Sequence, residues 1–149
     1  MQLIKDKQVI QDDWLFISDD TPLKADYNIV SIARWQQQRN QLSQTKNLGL
    51  RLEPDVAIED IANDLSHFQL VQLFFPVFTD GRAFTHARLL RSRYGFTGDI
   101  RASGDFMRDQ VFYLNRVGIS SFELNDQDNA QQIIQSMHDF SVNYQESAA

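Results

Sequence analysis

Seven of the ten arginines fall between residues 80 and 116, at Arg82, Arg88, Arg91, Arg93, Arg101, Arg108 and Arg116, whereas all four lysines lie before residue 50. Only four carboxylates, Asp80, Asp99, Asp105 and Asp109, share that window. It therefore carries a net +3 in a chain whose total is −6, and the remainder carries −9. A planar guanidinium makes bidentate contacts to carboxylate, phosphate or sulfur oxyanions that a point-charge ammonium cannot, so arginine without lysine reads as an anion-recognising edge. The competing reading is an internal Arg–Asp network, which compact α/β domains also build. The negative total opposes nonspecific approach to nucleic acid or to an anionic lipid surface.

Three short segments could complete a site with those arginines. Thr79-Asp80-Gly81-Arg82, Ser103-Gly104-Asp105 and the stretch from Glu123 to Asn125 each follow an apolar run. In parallel α/β folds such strand-to-helix loops converge and present helix N-terminal amides, which suits an oxyanion. Asp80 and Asp105 are the candidate acid–base residues, with Glu123 a further carboxylate. The candidate anion- or partner-binding residues are Gly81, Arg82, Arg88, Arg91, Arg101, Gly104, Arg108, Asp109 and Gln110. Plainer roles compete with these: Asp105 as a helix N-cap, Asp80-Gly81 as a turn, Arg88 and Arg91 as one side of a helix.

Other chemistries lack their residues. There is no cysteine, which removes disulfides, zinc–thiolate sites and thiol nucleophiles together. His67, His86 and His138 are too widely spaced to argue for a metal site, so none is expected. No nucleophile elbow, Walker motif or dinucleotide glycine fingerprint is present. No cofactor is evident, and flavin, which flavodoxin-like folds hold through loops without a strict motif, is the one redox group left open.

Hydrophobic period indicates the elements that would position these residues. An apolar share of 42% in 149 residues suffices for one core, so a single domain is expected over 1–149. Residues 1–26 read as a small β appendage, with a hairpin around Lys5-Asp6-Lys7 and Trp14 to Ile17 continuing a meander. Residues 27–138 read as about five βα units, with strands at 28–32, 49–52, 70–75, 100–102 and 119–124, and residues 139–149 as a tail. The helix over 33–43 is expected to bury Ile32, Trp35, Arg39 and Leu42, and the nearly continuous Leu70 to Phe75 to be the central strand. This series predicts an α/β fold with a largely parallel sheet, either a flavodoxin-like open sheet or a partial β/α barrel. The longest apolar stretch, 70–78, is too short for a membrane span, and the N-terminus has no basic region leading into an apolar run, so a cytoplasmic protein is expected.

The stretch Phe75-Pro76-Val77-Phe78-Thr79-Asp80-Gly81-Arg82-Ala83-Phe84-Thr85-His86-Ala87-Arg88-Leu89-Leu90-Arg91 continues through Gly95-Phe96-Thr97-Gly98-Asp99-Ile100-Arg101-Ala102-Ser103-Gly104-Asp105 to Arg108-Asp109-Gln110. It resembles a bacterial family of unknown function whose members are usually labelled oxidoreductases involved in sulfite reduction, through their association with sulfite reductase. The resemblance runs from about residue 28 into the tail and carries over Asp80, Gly81, Arg82, Arg88, Arg91, Arg101, Gly104, Asp105, Asp109 and Gln110. Members often have Cys where this chain has Val117, within Arg116-Val117-Gly118-Ile119.

Two functions follow. One is an accessory protein of sulfite reduction and sulfur assimilation, whose arginine edge holds a small oxyanion or an acidic partner such as a sulfite reductase subunit or an electron carrier. The other is an enzyme, an oxidoreductase acting on a small anion with Asp80 or Asp105 as acid or base. The lack of any visible electron source favours the first. A homodimer formed through the sheet edge or the helices is a third reading.

Overall fold

The computed structural model describes residues 2–76, 82–104, 111–124, 130–135 and 137–138. Asp80, Gly81, Asp105, Arg108, Asp109 and Gln110 lie outside the described residues. The strands are β1 (Gln2–Lys5), β2 (Gln8–Ile10), β3 (Leu15–Phe16), β4 (Asn28–Val30), β5 (Leu48–Leu52), β6 (Leu70–Phe75), β7 (Asp99–Gly104) and β8 (Ser121–Leu124). The helices are α1 (Ile32–Gln37), α2 (Arg39–Leu42), α3 (Arg82–Arg88) and α4 (Val111–Arg116). Two 3₁₀ segments (Ile58–Asp60, Ala62–His67) and a π segment (Leu89–Arg93) lie between them, and helix also covers 130–135 and 137–138. No helix among the described residues is long and apolar enough to cross a membrane.

All eight strands form one sheet in the order β2-β1-β8-β7-β6-β5-β4-β3. From β3 to β8 the pairing is parallel and the spatial order is the chain order, so every crossover steps one place in the same direction. Right-handed connections that all step the same way put their helices on a single face, and the sheet curls into a half-barrel. The buried core agrees: Val30, Leu50, Leu73, Ile100 and Phe122 from the strands join Trp35, Leu65, Ala87, Leu114 and Ile133 from the segments between them. A flavodoxin-like sheet reverses direction at a switch point and is covered on both faces. This order has no reversal, so the partial barrel replaces the flavodoxin-like expectation.

Two further expectations change. The sheet has eight strands rather than about five, and β1 is antiparallel to both β2 and β8. The N-terminal residues are therefore part of the sheet, since Gln2 pairs with Leu124 and Lys5 with Ser121. Asp6 and Lys7, at φ 54° and 60°, form the two-residue hairpin turn whose twist suits β1 and β2. β3 does not continue that meander. It crosses to the opposite edge and pairs in parallel with β4, Phe16 facing Ile29.

The helical stripe is also shifted. Gln38, at φ −118°, breaks the helix into α1 and α2, which buries Arg34 in place of Arg39. Arg34 donates to the carbonyls of Ser18 and Thr21, each at 2.8 Å. Arg39 stays exposed against Trp35 and pairs with Asp64 at 2.8 Å. Leu70–Phe75 is a strand near the middle of the sheet, as its composition indicates.

Candidate functional site

Side chains alternate along a strand, so the residues between the core positions point to the face opposite the described helices. Register aligns Arg51, Gln72, Arg101, Ser121 and Lys5 into one row across five strands of that inner face. Arg101, the middle of the row, is only 1% exposed. Its Nη atoms donate to the Asp12 carboxylate at 3.2 and 2.5 Å, Nη2 also reaches Asp99 at 3.3 Å, and Nε donates to Ser121 Oγ at 2.9 Å.

Arg91 is held just as fully. It donates to the carbonyl oxygens of Phe96, Gly98 and Gly118 at 2.8, 2.7 and 3.0 Å, and to Ser120 Oγ at 3.4 Å. Desolvation lowers its pKa, and the nearby Asp99 opposes that shift. Ser120 Oγ in turn donates to Asp99, so Arg91 and Arg101 do meet, but through Ser120 and Asp99 at the N-terminal end of β7. In barrel folds that end is where residues serve stability, and sites occupy the other. These two arginines therefore do not offer spare donors at a water-facing rim: their donors already have protein acceptors.

The remaining expected residues divide. Arg82 and Arg88 are exposed on α3, on the outside of the half-barrel. Gly104 ends β7 at φ +92°, where an added Cβ would lie 2.4 Å from the Phe75 carbonyl oxygen. Its backbone geometry accounts for glycine there without any ligand.

A group that the charge count passes over shows more unused capacity. Arg51, the last-but-one residue of β5, has its guanidinium carbon 3.6 Å from the Phe16 ring centroid and 4.7 Å from that of Phe74. Its Nε donates to Gln72 Oε1 at 2.7 Å, and Gln72 Nε2 donates to Glu123 Oε1 at 2.9 Å. Gln72 is 1% exposed, and its one amide serves both neighbours. Among the described residues, the two Nη atoms of Arg51 have no hydrogen-bond partner and no carboxylate within ion-pair distance. Desolvation lowers the Arg51 pKa, while the charges of Glu53 and Glu123 oppose it.

Two further groups beside it are unpaired in the same sense. Ser103, opposite Phe74 in the register, makes no hydroxyl hydrogen bond among the described residues. Glu123 Oε2 makes none either. Arg51, Phe74, Ser103 and Glu123 all stand one residue before the C-terminal ends of their strands, where barrel folds place their sites.

Residues 49–149 match the model of the family described as Bacterial protein of unknown function (DUF934). The chain belongs to that family. The DUF934 match includes Arg51, Gln72, Ser103, Glu123 and every expected site residue from Asp80 to Gln110, while Asp12 and Phe16 precede it. It begins at residue 49, later than the resemblance indicates. No curated protein and no solved structure matches the chain.

In this DUF934 chain, then, a guanidinium stacked on two rings presents an edge with no partner among the described residues, beside a serine hydroxyl and a carboxylate. Such a set can bind an oxyanion through two N–H donors and one O–H donor. The signal for it is present in the sequence: Leu50-Arg51-Leu52, Val71-Gln72-Leu73 and Ile100-Arg101-Ala102 each place one polar residue inside an apolar strand. Three such interruptions in successive parallel strands mark a polar inner face.

Proposed function

We propose that this protein is a cytoplasmic accessory protein of sulfite reduction that holds a small oxyanion, and that Arg51 is the residue that holds it. The observation that carries this reading is the half-buried Arg51 guanidinium, fixed by Phe16, Phe74 and Gln72, with neither Nη atom paired among the described residues. Taking a charge out of water is unfavourable unless a partner compensates it, and an anion bridging Arg51 and Ser103 supplies that partner. The tie to sulfite reduction rests on the resemblance of residues 75–110 to a family so labelled. A sulfite reductase subunit or an electron carrier is the protein partner this role implies, and the exposed Arg82 and Arg88 of α3 are the residues to meet its acidic surface.

Thermal unfolding with sulfite, sulfate and phosphate tests the anion site. A bound ion at a hundred times its Kd should raise the melting temperature by about 5–10 °C, and Arg51→Met should abolish the rise while melting normally without ligand. Superimposable curves for wild type and Arg51→Met in all three anions would refute the reading. A pull-down with sulfite reductase at low salt tests the partner, with Arg82→Ala/Arg88→Ala expected to weaken any complex.

A further inference from the structure

The Arg51 site is not uniformly cationic, and the residue that departs from that pattern has a carboxylate oxygen with no partner among the described residues. One amide group, that of Gln72, separates Arg51 Nε from Glu123 Oε1, so the cation and the carboxylate border the same space. Continuing the β7–β8 register by one residue brings Ser103 opposite Glu123, between the two. Arg101, next in the row, does not offset the Glu123 charge because Asp12 and Asp99 already neutralise it. Glu53 adds a second negative charge that acts on Arg51.

From this we infer that Glu123 determines specificity, selecting an oxyanion that still carries an acidic proton over one that carries none. The inference rests on the anion-binding reading of Arg51. An ionised carboxylate can only accept hydrogen bonds, so it repels a fully deprotonated anion seated on Arg51. If the ligand bears an O–H, the same oxygen accepts from it, and repulsion becomes a charge-assisted hydrogen bond. Dihydrogen phosphate and hydrogen sulfite have such a proton. Sulfate does not.

The test is calorimetric titration of the full chain with phosphate, sulfite and sulfate at mildly acidic pH, where the first two are mostly protonated monoanions. Wild type should bind phosphate and sulfite at least roughly tenfold more tightly than sulfate. Glu123→Gln, which keeps an oxygen for the Gln72 amide, should bring sulfate to within about twofold of phosphate. Equal affinity of wild type for sulfate and phosphate overturns the inference and leaves the Arg51 reading intact. A preference unchanged in folded Glu123→Gln also overturns it. Binding of none of the three ions removes both readings, and the wild-type comparison decides the matter even where the variant does not fold.

Discussion

An arginine buried in the middle of a sheet requires a carboxylate, and Arg101 receives one from a residue 89 positions away. Asp12 is itself a quarter exposed, but its partner is not, so Asp12→Ala leaves a charge inside the protein with, among the described residues, Asp99 alone to share it. Breaking such a pair from one side costs about 3 kcal/mol, measurable as a lower urea midpoint with an unchanged slope. Replacing both partners, Asp12→Ala with Arg101→Met, should recover much of that loss. A single variant within about 0.5 kcal/mol of wild type would show the pair to be dispensable. The arginine was visible in the sequence and its partner was not, because pairing across the sheet follows from fold and register. The same reason hid Arg51. Counting charges draws attention to the dense window of 80–116, whereas Arg51 stands alone in sequence and acquires its setting only when β3, β5, β6 and β8 bring Phe16, Phe74, Gln72 and Glu123 around it.

Strand ends carry their own requirements. Gly104 and Gly95 both have positive φ, at +92° and +63°, but a Cβ at Gly104 would meet the Phe75 carbonyl at 2.4 Å and one at Gly95 would meet nothing within 4 Å. Gly95→Ala should therefore lose about 1 kcal/mol, the backbone contribution alone, and Gly104→Ala about 2–3 kcal/mol. Equal losses in chemical denaturation would mean that the contact with Phe75 relaxes freely. At this scale much was legible. The apolar run Leu70–Phe75 identified β6 to the residue. β7 was underestimated because Asp99, Ser103 and Gly104 look like loop residues until the inner face is recognised as polar. The helix after β4 was misread in its buried stripe because the break at Gln38 resets the helical phase.

For the whole molecule, alternating strands and helices pointed correctly to a mostly parallel α/β sheet. They did not reveal strand order, which depends on the direction of each crossover and leaves no local periodicity. They also did not reveal that the first 26 residues supply strands to both edges of the sheet, β1 with β2 at one and β3 at the other. Removing residues 1–12 would strip β8 of its antiparallel neighbour and Arg101 of Asp12 together. Such a chain should lose cooperative thermal unfolding and elute as aggregate in gel filtration. A monomeric, cooperatively melting product would show that the hairpin is an accessory after all. The pairing of β1 with β8 also imposes a timetable on synthesis. Of the described strands, β1 is made earliest and waits longest for β8, whose last residue is Leu124. Until then a nascent chain exposes an unsealed seam, which makes the interval before Leu124 is added its period of greatest exposure to aggregation and to chaperones.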